Sequence, residues 1–340
     1  MILGLDIGGA NLKAACGDWN GSRRFELWRE PENLSRAIMD LIRGQDWRIA
    51  AVTMTGELAD CYETKTHGVD QILAAVESIA DNRPVVVWQT AGEFVAPAVA
   101  REFWTLTASA NWHALATFAS RVASAGVLLD IGSTTTDIVP LRGGVVAEGL
   151  TDFERLHSGE LLYEGGSRTP VAMLAPHLPA EQVADLPLPR PVAEVFATIA
   201  DAWQLTLPDI DFGDVATCDG RPLSVATARQ RLARQFLCDA AELPAESLDA
   251  FGERLTQDQI ERIAIAVIAV RRRLREADVT LITSGSSTPL LDAVADRVAD
   301  VFTERVDLAG LFGAEASGAA CAVAVAKLAS ERVHLISDFR

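Results

Sequence analysis

Alternating stretches of apolar and small polar residues divide the first third of the chain into strands and helices. "ILGLD" and "LKAACGDW" predict two strands joined by the turn "GGAN", and "RRFELWRE" predicts a third strand. Apolar residues at Leu34, Ile38 and Leu41 predict a helix at about 31–42. "IAAVTMTG" and "PVVVW" predict buried strands, and helices are expected at 69–80 and 111–123. This part of the chain therefore predicts a mixed α/β unit.

The same pattern begins again at residue 127. "VLLDIGSTTTDIVPL" predicts a strand, a turn and a strand, and "GGVVAEGL" predicts a third strand. Because "LGLDIGGANLKAA" has the same Asp-Ile-Gly at the same place, we expect an internal duplication that produces two related domains. We place them at residues 1–124 and 125–340.

The second domain contains a predicted insertion of loops and helices at about 151–275, which includes "SVATARQRLARQFL" and "QIERIAIAVIAVRRRLRE". "VTLITSG" then predicts another strand. The last segment, "GLFGAEASGAACAVAVAKLAS", predicts a turn with Gly310, Gly313 and Gly318 before a helix of small residues. Such a helix can pack closely on a neighbour, and we expect it to return toward the cleft between the domains.

Two turns of glycine, serine and threonine carry the main candidate chemistry. A tight turn of this kind directs several backbone N–H groups at one point and can bind an anion. Asp6 and Asp130 end the first strand of each hairpin, so we expect them to face each other across the cleft. They are predicted to be catalytic and to hold Mg²⁺ or another divalent cation, mostly through water. The predicted phosphate-binding residues are Gly8, Gly9, Asn11, Lys13, Gly132, Ser133, Thr134, Thr135 and Thr136.

Each hairpin has a simpler alternative interpretation. An Asx-type turn that only closes the hairpin would explain the aspartate and glycine of either copy alone. Two copies with the same tripeptide favour a shared ligand site.

The loops that follow other predicted strands supply further candidates. Ser284, Gly285 and Ser286 follow a buried strand, where ligands commonly bind at the carboxyl ends of strands. In "TGELADCYETK", Glu57 is the first candidate for a general base or metal partner. We expect Lys65 to contact phosphate, and Asp60 to contact substrate.

Two more residues are candidates for substrate binding, each with a structural alternative. Arg168 follows two glycines, so its guanidinium could reach a phosphate or carboxylate, although a surface salt bridge is the alternative. Asn111 is expected either to contact substrate or to cap the helix that follows it.

Composition and charge narrow the classes of partner. The 340 residues suffice for two domains, and 49% hydrophobic with 23% charged residues is typical of a soluble globular protein. Lys and Arg number 30 against 47 Asp and Glu, a formal charge of −17, so neither nucleic acid nor a membrane surface is an expected partner. A small phosphorylated molecule stays open as the partner, and an oligomer is not excluded.

Cysteine usage and the apolar runs indicate the compartment. The five cysteines are scattered, with no C-x-x-C pair, which argues against a disulfide framework or a structural zinc site. No basic segment precedes the first apolar run, and "IAIAVIAV" is too short to span a bilayer. We therefore expect a cytoplasmic protein.

Taken in order, these elements resemble the actin-like ATPase superfamily, which includes sugar kinases, acetate kinases and Hsp70 chaperones. They are similar to its two phosphate loops, its nucleoside-contacting turn and its closing helix. The resemblance implies an α/β, two-domain actin-like ATPase fold, also called ribonuclease H-like, with a duplicated mixed-sheet core and a cleft between the domains.

A narrower resemblance rests on "DIGGANLK", "TMTGELADCYETKTHGV", "ASANW", "DIGSTTTDIVPL", "TDFERLHSGELLYEGGSRTPV" and "TCDGRP". These segments resemble the hydantoinase/oxoprolinase-related proteins of tetrahydromethanopterin-linked one-carbon metabolism. The resemblance implies a transferase of methanofuran biosynthesis, or of a bacterial analogue. The implied reaction joins the phenol oxygen of a tyramine or tyrosine derivative to an aminomethylfuran carried as its diphosphate, and releases pyrophosphate.

Departures from the pattern define the alternatives. Nucleotide-hydrolysing members of the superfamily carry Thr or Ser early in the first loop, where this chain has "GGAN". ATP is therefore a less favoured cofactor, and an ATP-dependent kinase or phosphotransferase is the alternative function. A hydantoinase-like hydrolase is less expected because the chain is shorter than such subunits. A nucleotide-binding regulatory module would need a partner-binding appendage, and none is evident in the sequence.

Overall fold

A computed structural model describes residues 1–178, 188–210, 212–213, 215–312 and 318–332. Its first sheet contains β1 (Ile2–Ile7), β2 (Asn11–Cys16), β3 (Trp19–Arg24), β4 (Ile49–Met54), β5 (Val85–Trp88) and β6 (Phe94–Val95). The strand order is β3-β2-β1-β4-β5-β6. The first strand, β1, lies in the middle of the sheet, antiparallel to β2 and parallel to β4.

The second sheet repeats this topology. It contains β7 (Ala125–Ile131), β8 (Thr136–Arg142), β9 (Leu161–Leu162), β10 (Thr280–Gly285) and β11 (Glu304–Asp307), in the order β11-β10-β7-β8-β9. The strand β7 is antiparallel to β8 and parallel to β10, as β1 is to β2 and β4. The repeated arrangement confirms the predicted duplication and the mixed-sheet core.

Helices cover the faces of both sheets. They are α1 (Leu34–Leu41), α2 (Lys65–Ala80), α3 (Pro97–Glu102), α4 (Trp104–Thr107), α5 (Asn111–Ala119), α6 (Asp152–Ser158), α7 (Val171–Leu174), α8 (Ile199–Thr206), α9 (Val225–Arg234), α10 (Ala245–Arg273), α11 (Thr288–Arg297), α12 (Leu308–Phe312) and α13 (Ala320–Glu331). Short 3-10 helices lie at Pro31–Asn33, Ala175–His177, Ala240–Glu242 and Ala299–Val301. Among the described residues, none of these helices combines the length and the apolar character that a membrane crossing requires.

The last helix joins the two halves of the chain. Although α13 follows the second sheet in sequence, it packs on β1, β2 and β4 of the first sheet and on α5. Close approach is possible because the buried residues of α13 are mostly alanine, valine and cysteine and because Gly4 of β1 has no side chain. A Cβ at Gly4 would lie far inside van der Waals contact with the carbonyl oxygen of Ala322.

Two strand predictions were wrong, and both concern the third strand of a sheet. In the first half, β3 begins at Trp19, directly after a turn at Gly17, so the strand ends before Phe25. The apolar residues Phe25 and Leu27 are buried in a loop that hydrogen-bonds the first hairpin turn. Side-chain burial without strand pairing explains the wrong prediction.

In the second half, "GGVVAEGL" is not a strand beyond one bridge between Val145 and Leu141. The backbone N–H groups of Glu148 and Gly149 donate to the carboxylate of Glu160 instead of to a neighbouring strand. The third strand of this sheet is the short β9. The domain boundary at 124/125 stays a prediction, and Ala125 is the first residue of β7. The predicted turn residue Gly313 lies outside the described residues.

Replacement of Gly4 tests the contact between β1 and α13. Gly4→Ala is expected to lower the free energy of unfolding by about 2–3 kcal/mol, because the new Cβ forces helix and sheet apart. Gly310→Ala is the control, because a Cβ there meets no atom within 4 Å; its effect should be neutral or slightly stabilising. Chemical denaturation of both variants measures the difference, and equal stabilities would contradict the packing described.

Candidate active site

The two hairpins that carry Asp6 and Asp130 have equivalent geometry. Each turn has four residues, 8–11 and 132–135, between paired strands. The N–H of Gly8 donates to the carbonyl oxygen of Asn11 at 3.0 Å, and the N–H of Gly132 donates to that of Thr135 at 2.9 Å. Strand register sets Asp6 opposite Lys13 and Asp130 opposite Asp137, so Lys13 and Asp137 occupy equivalent positions.

Both hairpins border one cavity of about 420 Å³. The structure therefore brings together most of the residues predicted from the sequence, although their roles stay predictions. The predicted residues that line the cavity are Asp6, Gly8, Gly9, Asn11, Lys13, Asp60, Asn111, Asp130, Gly132, Ser133, Thr134, Thr135 and Arg168.

Burial of carboxylates dominates the electrostatics of this cavity. Asp6 is 2% exposed, its Oδ2 lies 3.7 Å from Nζ of Lys13, and its buried Oδ1 has no hydrogen-bond partner. Burial raises the pKa of Asp6, and the Lys13 ammonium opposes this rise. Burial and the neighbouring carboxylate of Asp137 raise the pKa of Asp130 to about 6, against a hydrogen bond from Ser284. The cavity thus disfavours further negative charge unless a cation accompanies it.

Residues of two loops donate hydrogen bonds to backbone carbonyl oxygens of the second hairpin turn. The N–H of Gly166 and the hydroxyl of Ser287 both donate to the carbonyl oxygen of Gly132, at 3.0 and 2.9 Å. The N–H of Arg168 donates to the carbonyl oxygen of Ser133 at 2.9 Å. A Cβ at Gly165 would lie 2.5 Å from the backbone nitrogen of Thr134, so only glycine allows this approach. These contacts occupy backbone carbonyls of the turn and fix its conformation.

Several predicted residues lie outside the cavity. The hydroxyl of Thr136 donates to the carbonyl oxygen of Glu164 at 2.7 Å, which does not support a phosphate contact. Ser284 is buried and its hydroxyl lowers the pKa of Asp130, and Gly285 has a φ of 125° that favours glycine. Ser286 lines a neighbouring cavity. Lys65 is the half-buried first residue of α2.

The proposed base Glu57 is also removed from direct contact with the cavity. Its side chain is completely buried, and the hydroxyl of Ser109, which does line the cavity, donates to its Oε1 at 2.8 Å. Burial raises the pKa of Glu57 to about 7, against the hydrogen bond from Ser109. Any proton that reaches Glu57 from the cavity would therefore pass through Ser109.

Asn111 does not act as a helix cap. The N-cap of α5 is Ala110, and Oδ1 of Asn111 accepts a hydrogen bond from the N–H of Trp112 at 2.7 Å. The nearby Asn111 side chain also lowers the pKa of Asp6, against the effect of burial.

Sequence reasoning missed some residues of the cavity. They are Trp28, Ser109, Trp112, Asp137, Asp152, Tyr163 and Cys321. Alignment of "DIGGANLK" with "DIGSTTTD" would have identified Asp137, because it stands where the first copy has Lys13. Asp137 pairs at 2.8 Å with the buried Arg155, whose guanidinium lies 3.9 Å from the ring centroid of Trp112. Nothing in the sequence pattern indicates that Arg155 is buried.

The donor set of the cavity fits a metal ion held mainly through water. Within the described residues, no three His, Cys, Asp or Glu side chains lie close enough together to hold a metal directly. The unpartnered Oδ1 of Asp6 and the carboxyl of Asp130 instead offer the one or two carboxylates that Mg²⁺ commonly uses beside water and phosphate.

A second cavity of about 780 Å³ adjoins the first. The two cavities share wall residues, which are Ala10, Asn11, Trp28, Ser133 and Arg168. Arg168 is exposed, and its guanidinium lies 5.5 Å from the ring centroid of Trp28. A ligand in one cavity would thus lie beside a ligand in the other.

The two sheets of repeated topology and the cavity between their hairpins define a protein with a duplicated mixed α/β core. Residues 48–332 match the family model described as hydantoinase/oxoprolinase. The chain belongs to this family. A relative from Methanocaldococcus jannaschii, named (4-{4-[2-(gamma-L-glutamylamino)ethyl]phenoxymethyl}furan-2-yl)methanamine synthase, is 31% identical over 98% of both chains. A relative of the same name from Methanococcus vannielii is 34% identical over 122 residues, 35% of this chain and 53% of the relative.

Solved structures with a similar chain course have little sequence in common with this protein. A ROK family glucokinase from Streptomyces griseus, in complex with glucose and AMPPNP, is 13% identical with a TM-score of 0.46, covering 97% of this chain and 99% of the glucokinase. An archaeal actin homologue is 15% identical with a TM-score of 0.42, at the same coverage of 97% and 99%.

The raised pKa of Asp130 predicts a pH-dependent gain in stability on its removal. Because the folded state binds a proton there up to about pH 6, the protein loses stability as pH rises from about 4 through 6. In metal-free buffer, Asp130→Asn should therefore add about 3 kcal/mol to the free energy of unfolding at pH 8, and little at pH 4. Denaturant titrations at both pH values measure this.

The control for that experiment is Asp296→Asn, because the Asp296 side chain is 84% exposed. It should leave the stability unchanged at both pH values. A gain for Asp130→Asn that is the same at pH 4 and pH 8 would contradict the electrostatic explanation.

Proposed function

We propose that this protein is a transferase that makes the aryl ether of a methanofuran-type compound. The compound in the relatives' name contains a phenoxymethyl group that joins a phenyl ring with a glutamylaminoethyl side chain to an aminomethylfuran. The proposed reaction joins the phenol oxygen of a tyramine or tyrosine derivative to the methyl carbon of an aminomethylfuran carried as its diphosphate. Pyrophosphate is the leaving group.

One observation carries the proposal: two hairpin turns, the second of which carries the hydroxyls of Ser133, Thr134 and Thr135, border a single cavity with Lys13. A diphosphate placed against these turns has donors for its oxygens from both halves of the chain. Similarity to the Methanocaldococcus relative over 98% of the chain supports the substrate class.

The residues of the cavity would act mainly on the leaving group. The methylene carbon loses its bond to the diphosphate oxygen, and the electron pair leaves with pyrophosphate. Donors from the turns and the Lys13 ammonium would stabilise this growing negative charge. A divalent cation such as Mg²⁺, held by Asp6 and Asp130 through water, would supply further neutralisation of the pyrophosphate.

The acceptor would approach from the side of the second cavity. The furan oxygen stabilises the positive charge left on the methylene carbon, so a phenol can capture it. Arg168 lies at the wall shared by the two cavities and would bind a carboxylate of the acceptor. Asp60 borders the first cavity and is a candidate for an amine of either substrate.

An ATP-dependent phosphotransferase is the second candidate. The cavity of about 780 Å³ beside the hairpins favours it, because this volume and the lining by Ser286, Thr288 and Leu290 would suit a nucleoside.

Parallel incubations distinguish the two functions. Purified protein is incubated with Mg²⁺ and either ATP or an aminomethylfuran methyl diphosphate, in each case with a phenolic amine. We expect pyrophosphate and the aryl ether only from the diphosphate, by phosphate analysis and mass spectrometry. ADP with a phosphorylated acceptor would instead establish the second candidate, and no ether from the diphosphate would refute the first.

Two identical substitutions in the second hairpin test the phosphate site. Thr134→Val removes a hydroxyl from the cavity wall, whereas Thr136→Val removes one bound to the backbone of Glu164. The first should weaken binding of Mg²⁺-pyrophosphate about fivefold, the equivalent of about 1 kcal/mol for one hydrogen bond. The second should lower stability and leave the affinity within about twofold.

Isothermal titration calorimetry with Mg²⁺-pyrophosphate measures both affinities, and thermal unfolding measures both stabilities. A fivefold loss of affinity in Thr136→Val but not in Thr134→Val would contradict the site as described.

A further inference from the structure

Glu57 is a buried acid whose environment does not favour a permanent negative charge. Its Oε1 accepts a hydrogen bond from Ser109, its Oε2 is buried without a partner, and no ion pair within 4.0 Å joins it to the described residues. A carboxylate in such surroundings is costly, whereas the neutral acid is not. The group is therefore suited to change its protonation state.

Backbone geometry fixes the contact between Glu57 and Ser109. Ser109 has a φ of 50°, a left-handed conformation that is uncommon for a residue other than glycine and often occurs at functional sites. On the other side, Gly68 of α2 packs so closely that a Cβ would lie 2.7 Å from Cα of Glu57. The positions of Glu57 and Ser109 are thus fixed by contacts other than the hydrogen bond between them.

A second acid lies near the same serine. Asp152, the first residue of α6 after the N-cap Thr151, lines the cavity together with Ser109. Burial raises the pKa of Asp152, and the Ser109 hydroxyl opposes this rise. Because a serine hydroxyl has one proton and Ser109 donates it to Glu57, it cannot donate to Asp152 at the same time.

The charged groups around Glu57 and Asp152 do not offset the effect of burial on their pKa values. Lys65 faces both Glu57 and Asp152 and lowers the pKa of each, whereas burial raises both. Asp137 and Arg155 also face Asp152, with opposite effects. Glu57 and Asp152 further disfavour each other's negative charge.

We infer that Ser109 relays the phenol proton of the acceptor to Glu57. This inference rests on the proposed ether-forming reaction. As the phenol oxygen bonds to the methylene carbon, its proton passes to Oγ of Ser109, and the proton of that hydroxyl passes to Oε1 of Glu57. The bond to diphosphate breaks with its electron pair on pyrophosphate, and the proton on Glu57 returns through Ser109 to solvent when the products leave.

The test compares two acceptors that differ only in the acidity of the phenol. One is tyramine, and the other is its ring-nitrated derivative, which is already ionised at neutral pH and needs no base. Ether formation is measured between about pH 5 and 9 for the wild-type protein and for Glu57→Gln, Ser109→Ala and Ser109→Gly. Ser109→Gly relieves the left-handed conformation, so it keeps the test valid if Ser109→Ala folds poorly.

With tyramine, the wild-type rate should rise as pH increases through about 7, because Glu57 accepts a proton only when ionised. In Glu57→Gln and in both Ser109 variants, the rate of ether formation should no longer rise with pH and should be lower on the order of 10²-fold. With the nitrated acceptor, all three should return to within about threefold of the wild type. Ser120→Ala is the matched control, because its hydroxyl caps the end of α5 away from the cavity.

Wild-type rates in the Ser109 variants, or equal losses with both acceptors, would overturn the relay and assign Ser109 a structural role. A wild-type protein that makes no ether from either acceptor would overturn the proposed function and the relay with it. Recovery of the variants' rates with the nitrated acceptor but not with tyramine supports both the proposed function and the relay.

Discussion

The site depends on one constraint, which is the mutual repulsion of three carboxyl groups in a buried cleft. The groups lie beneath two glycine-containing turns and belong to Asp6, Asp130 and Asp137. Desolvation of this kind costs several kcal/mol per ion in real proteins. The hairpins, the loop at Gly165 and α13 keep the groups in place in spite of that cost, through backbone hydrogen bonds and close packing. The result is a rigid pocket that is stabilised most by a cation and the oxyanions that accompany it.

The two halves of the duplicated core balance their charge differently. In the first half, the cation Lys13 stands on the hairpin itself, is 32% exposed and lines the cavity. In the second half, the equivalent position carries Asp137, and its cation is Arg155, which comes from α6, is fully buried and stacks on Trp112. Only Lys13 of these two can reach a ligand. An anionic group is therefore expected to lie nearer to the first hairpin, with the second supplying neutral donors.

The sequence predicts the hairpins well because their chemistry is local. Asp-Ile-Gly followed by small residues determines the turn and the position of the carboxylate, and both copies fold as expected. Burial is not local, which explains the main failures. "FELW" is apolar enough for a strand but packs as a loop, and Glu57 in a polar segment is sealed by Gly68 of α2 and by Ser109. The sequence likewise does not show that Thr151 provides the N-cap of α6 while Asp152 lines the cavity.

The shared wall of the two cavities explains how they would bind different substrates in the proposed reaction. A diphosphate needs donors and cations, which the turns and Lys13 provide, whereas an aromatic acceptor needs flat apolar surface and one polar anchor. Trp28 and Arg168 form such a surface at the boundary, with the guanidinium over the ring. With a formal charge of −17 on the whole chain, cations that face the ligand have a large effect on which anions enter. In the proposed reaction, Arg168 would attract the acceptor's carboxylate while Lys13 would retain the leaving group.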